Sequence, residues 1–305
     1  MSFPYLGDLV RQTTGMNIPL PIPTFGLMVA IAILTSLSLL AKELQRLHAA
    51  GRIGLANRRV KQDGRYIDQA VSPQDIASEL TMVVVLFGFV GARVFHILEY
   101  ADRFVADPWT MIFSRSGFTI YGGMIFGTIA GAIYLKRRAL PVLAVLDAVA
   151  PAIMLGYAIG RIGCQISGDG DWGIAADLAL KPSWVPTSLW AQTYDHNIAG
   201  IFIAPPGVYP TPIYETAMAA IAFGILWGLR KHTFRPGWLF AAFMLLYGIE
   251  RFLIESIRVN SIVHVFGIAA TQAQFISVAT TIAGLTGLIV LGKRTTLGPT
   301  GQLRT

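Results

Sequence analysis

The sequence predicts an all-α, polytopic integral membrane protein with about seven transmembrane helices, its N-terminus outside and its C-terminus in the cytoplasm. Three observations carry that reading. Of 305 residues, 54% are hydrophobic and 13% charged, and the mean hydropathy is +0.57, the balance of a chain whose main solvent is lipid. Apolar runs long enough to cross a bilayer, about 17 to 25 residues, fall at roughly 25–41, 80–98, 119–135, 141–160, 212–230, 237–257 and 273–292. The basic residues also segregate by loop. Lys42, Arg46, Arg52, Arg58, Arg59, Lys61 and Arg65 follow the first run; Lys136, Arg137 and Arg138 the third; Arg230, Lys231 and Arg235 the fifth; and Lys293, Arg294 and Arg304 the last. All fall on one side of a seven-span arrangement, opposite Arg11, Arg103, Arg115, Lys181 and Arg258, and excess Lys and Arg mark the cytoplasm.

Taken in order, residues 1–24 form an outer arm with no basic stretch before an apolar core and no small-residue cleavage site, so no removable signal peptide is expected. The membrane domain spans 25–293. Within it, residues 42–79 make a basic cytoplasmic loop with no evident motif, and residues 171–211, rich in Trp, Tyr and Pro, make an outer cap at the interface, where aromatic rings are favoured. Residues 294–305 are a cytoplasmic tail. The net charge of +7 reads as topology plus attraction to anionic lipid headgroups, and no nucleic-acid partner is needed to explain it. A single cysteine excludes a disulfide framework. The five histidines, at 48, 96, 196, 232 and 264, have no paired ligand spacing, so no metal site is expected.

Three arginines fall in or at the outer ends of apolar runs: Arg93, Arg161 and Arg251. Unpaired, each costs at least about 2.5–3.5 kcal/mol on insertion scales. Tyr247, Arg251, Glu255 and Arg258 are spaced along one helix face, which lets Arg251 pair with Glu255 and puts Tyr247 within hydrogen-bonding reach. Arg161 has no counter-charge on its own helix, and the acids near the same end are Asp169, Asp171 and Glu215. The bilayer offers another anion, a lipid phosphate. Arg161 belongs to "GRIGCQISGDGDWG" (160–173), whose glycines allow close backbone approach and an irregular turn after Gly163 that exposes N–H groups to an anion. Irregular backbone at membrane depth is tolerated where it lines a cavity, so this stretch is expected to floor a polar cavity open to the outer leaflet.

These blocks resemble the bacterial prolipoprotein diacylglyceryl transferases. The matching stretches are "FGLM" (25–28), "GARVFHILEY" (91–100), "YGGMIFG" (121–127), "DAVAP" (147–151) leading into 160–173, "YPTPIYE" (209–215) and "LYGIERFLIESIR" (246–258). The resemblance implies seven membrane helices in the bacterial inner membrane, no metal and no cofactor. It implies an enzyme that moves the diacylglyceryl group of phosphatidylglycerol onto the lipobox cysteine of a prelipoprotein, leaving a thioether and releasing glycerol phosphate. The expected partners are phosphatidylglycerol, the signal-peptide region of the prelipoprotein and other membrane lipids. Position matches Arg161 and Arg251 to the family's essential arginines, Tyr247, Glu255 and Arg258 to its sixth-helix network, and Asp169 to the acid of its outer turn. Gly122, Gly123, Gly173, Glu215 and Arg93 complete the expected substrate-binding set.

The departures are as informative. Phe25 stands where the family has a tyrosine, Tyr121 where it has the histidine of a His-Gly-Gly block, Cys164 where it has an asparagine, and Tyr209 where it has another histidine; Gly170 is one extra residue in the turn. The His-Gly-Gly histidine is the family's favoured general base, whereas a tyrosine, with a pKa of about 10, is a poor acceptor near pH 7. Three accounts compete. Tyr121 hydrogen-bonds the lipid phosphate or ester while Asp169 or Asp171 accepts the thiol proton; Tyr121 ionises beside Arg161; or the chain is a paralogue that binds phospholipid or lipoprotein with little catalysis. Cys164 reads as a small filler of the asparagine's place, since the thioether sulfur comes from the substrate. Two readings from other classes are an intramembrane aspartyl protease, from Gly-x-Gly-Asp at 168–171, and a transporter. The first needs two aspartates face to face, and Asp147 lies at the far end of the same helix; the second would be favoured by an inverted repeat, and none is found.

Overall fold

The computed structural model describes residues 2–62, 65–114, 117, 119–265 and 267–293. Arg115 and the expected tail 294–305, with Arg294 and Arg304, lie outside them. The elements in order are α1 (Leu6–Thr14), α2 (Thr24–Ala49), β1 (Ala56–Gln62), β2 (Arg65–Val71), α3 (Ala77–Glu99), α4 (Ala101–Ala106), α5 (Pro108–Phe113), α6 (Ile120–Arg137), α7 (Val142–Ser167), α8 (Thr211–Leu229), α9 (Trp238–Glu255), β3 (Ile262–Val265), β4 (Ile268–Thr271) and α10 (Gln272–Leu291).

The fold is mostly helical, and five helices are long and apolar enough to cross a membrane: α2, α3 with the 3-10 turn before it, α7, α8 and α10. The two other predicted spans are helices as well. α9 is apolar enough but carries three charges, Glu250, Arg251 and Glu255, and α6 falls short because glycines and the terminal Lys136 and Arg137 dilute its 18 residues. Large apolar side chains stand exposed along the helices, among them Leu34, Leu86, Ile221 and Ile289. On a protein surrounded by water such surface marks a binding face; on membrane helices it faces lipid.

The all-α expectation needs correcting. Two antiparallel hairpins are present, β1 with β2 and β3 with β4. The first occupies the supposedly featureless basic loop, where "DG" at 63–64 separates two stretches of mixed β-branched and polar residues, a hairpin signal. The loop is also shorter than expected, because α2 continues to Ala49.

The chain forms two compact units, residues 37–145 and residues 1–36 with 146–305. In the first, α3 packs along α6. A Cβ on Gly91 would sit 2.4 Å from the carbonyl of Gly122, so the helices touch backbone to backbone there. The hairpin is pinned by Asn57, whose N–H donates to the Arg138 carbonyl at 3.0 Å, and by Glu79, which accepts from Tyr134 at 2.7 Å and pairs with Arg138 at 2.8 Å and with Arg58.

In the second unit, a core of small and medium residues joins α7 (Ala150, Met154, Ala158), α8 (Ala219, Ala222, Leu226) and α9 (Leu239, Ala242), and α10 packs along α9. Small residues bring helix axes close where no water drives association. The N-terminal arm is tied to the end of α7 and to the cap: Phe3 N–H donates to the Ile166 carbonyl at 2.6 Å and Ser2 N–H to the Asp195 carbonyl at 2.9 Å. The cap has no helix beyond two 3-10 turns, Leu178–Leu180 and Thr187–Leu189. Buried Tyr194 anchors it, donating to Gln165 on α7 at 2.7 Å.

Candidate active site

α7 remains helical through Ser167, four residues further than the turn expected after Gly163, so Arg161 and Cys164 project from a rigid rod. The backbone then turns left-handed at Gly168 and Gly170. The turn ends at Gly173, which bridges antiparallel to Arg258 just past α9. A Cβ on Gly173 would lie 2.6 Å from the Ile257 carbonyl and 3.0 Å from Thr211 Cγ2, so glycine is what lets the end of α7, the start of α8 and the end of α9 meet.

At that junction Glu215, in the first turns of α8 and fully buried, faces three guanidiniums. Its Oε1 lies 3.2 Å from Arg161, 3.4 Å from Arg251 and 3.6 Å from Arg258. Asp171 joins the same group, pairing with Arg161 through Oδ2 and with Arg258 through Oδ1 at 2.6 Å. Arg251 also donates to Glu255 at 2.8 Å, and Asn260 holds the other oxygen of that carboxylate at 2.6 Å. Arg161 and Arg258 side chains are only 11% and 10% exposed. Buried charges of this kind stand only when paired, and removing one partner of such a pair costs about 3–5 kcal/mol.

The two aspartates of the turn behave differently. Burial alone raises the Asp171 carboxyl, but Arg161 and Arg258 outweigh it and hold it below its ordinary value. Asp169 is pushed up by burial, and the Asp171 charge adds to that. Asp169 accepts from the Asp171 N–H at 3.2 Å and has no ion pair with the arginines among the described residues, whereas Asp171 pairs with two of them.

Cys164 Sγ lies 3.8 Å from Arg161 and 4.0 Å from Asp171. Ligand atoms of Cys164, Asp169 and Asp171 fall within 4.8 Å of one another, a spacing a metal ion could bridge. Both Asp171 oxygens, however, already serve guanidiniums, and two positive charges beside the cluster oppose a cation and favour an anion. Phe25 packs over α7, its ring 3.3 Å from where a Gly163 side chain would begin. Tyr247 meets Tyr157 edge-on at 5.7 Å. One turn beyond Arg161, a cavity of about 430 Å³ is lined by Gln165, Ser188, Gln192 and Thr193.

Four predicted site residues belong to the unit of residues 37–145. Tyr121 opens α6. Gly122 and Gly123 face α3, and their closeness to Gly91 and Gly88 is helix packing. Arg93 ties down the end of α5, donating to the carbonyls of Met111 at 3.2 Å and of Ser114.

Two residues at the junction were missed. Tyr157, one turn before Arg161, reaches both Glu215 (3.1 Å) and Glu250 (3.2 Å). Glu250 is 4% exposed, and a carboxyl inside an apolar run is itself a functional signal. Tyr157 carries no such mark in the sequence. The aspartyl-protease reading loses its second acid: Asp147 lies in the second turn of α7, about 30 Å of helix from Asp169 at 1.5 Å per residue, and its oxygens accept from the backbone N–H of Gly237 (2.9 Å) and Phe240 (3.0 Å).

The family model for prolipoprotein diacylglyceryl transferase matches residues 14–290. The chain is similar to the phosphatidylglycerol–prolipoprotein diacylglyceryl transferase of Leptospira interrogans, 28% identical over 265 residues covering 79% of this chain and 72% of the relative. Proteins of the same name from Oceanobacillus iheyensis (26% over 275 residues, 89% and 84%) and Gloeobacter violaceus (27% over 248 residues, 76% and 84%) are similar too.

Proposed function

Since the chain belongs to the prolipoprotein diacylglyceryl transferase family, we propose that it moves the diacylglyceryl group of phosphatidylglycerol to the lipobox cysteine thiol of prelipoproteins. The observation that carries this is the convergence of Arg161, Arg251 and Arg258 on one carboxylate oxygen at the end of an apolar helix bundle. A carboxylate held by three guanidiniums marks a place where a phosphate fits, because guanidinium pairs with both through parallel hydrogen bonds.

In the reaction, the thiolate attacks the glyceryl carbon that bears the phosphate ester. A carbon–sulfur bond forms, the carbon–oxygen bond breaks, and its electron pair leaves with glycerol phosphate, which gains a second negative charge. Guanidiniums already aligned in a low-dielectric setting stabilise that developing charge more than the ground-state diester. Asp171, ionised between Arg161 and Arg258, fixes their direction before lipid arrives.

In this reading the protein is a seven-span enzyme of the bacterial inner membrane, the arginine junction at its outer end beneath the cap of residues 171–211 and the basic segment 42–79 on the cytoplasmic face. The uncharged amide and hydroxyl lining beside Gln165 suits a peptide chain following the lipobox. Tyr121 is tested separately: Tyr121→Phe is expected to lower turnover about tenfold with expression intact, and unchanged turnover removes it from the mechanism.

The test is complementation of cells depleted of their own transferase, followed by mass spectrometry of a lipobox peptide incubated with the purified protein and phosphatidylglycerol. A diacylglyceryl mass on the peptide cysteine is the expected result. Lipid retention without transfer, or peptide cleavage, overturns the reading.

A further inference from the structure

The arginine junction contains more carboxylate than its guanidiniums use. Glu215 Oε1 serves all three arginines, while Oε2 is buried with no hydrogen-bond partner among the described residues. Glu250 is also buried, and it bonds to Tyr157, whose hydroxyl lies 3.2 Å and 3.4 Å from its two oxygens and 3.1 Å from Glu215 Oε1. A phenol has one hydrogen to donate and lone pairs to accept with. Between two carboxyls it therefore has two arrangements: a proton on Glu215 with the hydroxyl donating to Glu250, or a proton on Glu250 with the hydroxyl donating to Glu215. Tyr157 is held in place for either by the Arg161 guanidinium over its ring at 5.3 Å and by Tyr247 edge-on at 5.7 Å.

We propose that Glu215, Tyr157 and Glu250 form a proton-accepting relay for thiol activation, with Glu215 Oε2 as the group that takes the thiol proton. The inference rests on the transferase reading above, and it supplies the base that reading lacks where the family's histidine is replaced by Tyr121. The steps balance. The thiol proton moves to Glu215 Oε2 and stays there through the displacement, the Tyr157 hydroxyl turns its hydrogen bond from Glu215 Oε1 to Glu250, and the thiolate displaces glycerol phosphate as described. The stored proton leaves with the product or to water afterwards. Neutralising Glu215 also releases Arg161, Arg251 and Arg258 from it while the leaving phosphate gains charge, so activating the nucleophile and freeing the anion grip become one event. Besides these arginines, Asp171 faces Glu215; Glu215, Tyr157, Arg161 and Arg251 face Glu250. Glu250 acts through Tyr157 and is a positioning residue for the proton; Glu215 is the group that meets the thiol.

The test measures kcat and KM of the full-length protein with phosphatidylglycerol vesicles and a lipobox peptide from pH 6.5 to 9.5. Glu250→Gln is expected to lower kcat about tenfold at the acid end with KM for the lipid within about twofold, and the defect should shrink towards pH 9.5, where the peptide thiol, of pKa about 8.5, ionises unaided. Tyr157→Phe should behave alike, and Glu250→Asp should recover part of the rate. An unchanged kcat, or a loss that is constant with pH, overturns the relay. If Glu250→Gln does not accumulate as folded protein, Tyr157→Phe decides on the same pH criterion. Absence of transfer by the unsubstituted protein sinks the function reading and the relay with it; normal transfer with indifferent variants sinks the relay alone.

Discussion

Two buried carboxylates lie towards opposite ends of α7, Asp147 on the helix itself and Glu215 on the neighbouring α8, and they are satisfied in opposite ways. Asp147, in the first turns of α7, gives both oxygens to backbone N–H groups of Gly237 and Phe240, and His232 Nε2 lies 3.6 Å away. It caps the start of α9 from a neighbouring helix, meeting donors the helix leaves over. Glu215, against the last turns of α7, has one oxygen shared by three guanidiniums and another with no hydrogen-bond partner among the described residues. Folding alone rarely leaves a buried acceptor unused. The first carboxylate closes an account of hydrogen bonds; the second keeps one open, and the open one marks the chemistry.

The contrast breaks most readily at Arg161. Arg161→Ala removes contacts to both Glu215 and Asp171, and transfer to the lipobox peptide should fall about 10²–10³-fold, with Arg161→Lys failing to restore it because the planar fork is lost. Near-normal turnover in folded protein would make the junction a structural staple like the one at Asp147. The opposite end should behave as stability only. Asp147→Ala is expected to cost about 2–4 kcal/mol, read as a lowered unfolding temperature in detergent, with kcat per folded molecule within about twofold; a kcat loss at intact stability would erase the difference between the ends.

Smaller effects sharpen the junction. Asp171 has a folded pKa below its unfolded value, so its contribution is present above the ordinary carboxylate pKa of about 3.9 and is lost as pH falls through the lower, folded value. Thermal unfolding followed against pH should show this acid limb, and Asp171→Asn should remove it. Asp169 has the opposite sign: its contribution is complete below its unfolded pKa and lost as pH rises through the raised, folded one, so Asp169→Asn should unfold at a higher temperature at pH 7. Smallest is Cys164→Ser, for which turnover should stay within about twofold. A large loss in the peptide assay would give the thiol a role beyond filling space.

The helices were legible because lipid demands long apolar runs: all seven predicted runs are helices in the structure, and five of them are long and apolar enough to cross a membrane. The pairing of Arg251 with Glu255 was legible too, since i and i+4 share a face whatever surrounds them. The partners of Arg161 were readable only as a set of acids. Which of Asp169 and Asp171 meets the guanidiniums depends on the path of the turn through Gly168 and Gly170, which spacing does not encode. Glu250 was passed over inside a matching block, although a carboxyl in an apolar run is a signal in its own right. Tyr157 became meaningful once two acids from α8 and α9 were seen on either side of it. The strands at 56–62 and 65–71 were less legible, because their charged side chains blur the alternation of apolar and polar residues.

The bridge between Gly173 and Arg258 has a consequence for how this enzyme can vary. With α7 helical to Ser167 and Gly173 stitched to the strand-like exit of α9, both ends of the intervening five-residue segment are clamped. Additions or losses there must be absorbed as slack inside the segment, which rotates its acids past fixed arginines rather than moving the arginines themselves. The number of residues between the two clamps thus becomes the setting that decides which acid meets the cations.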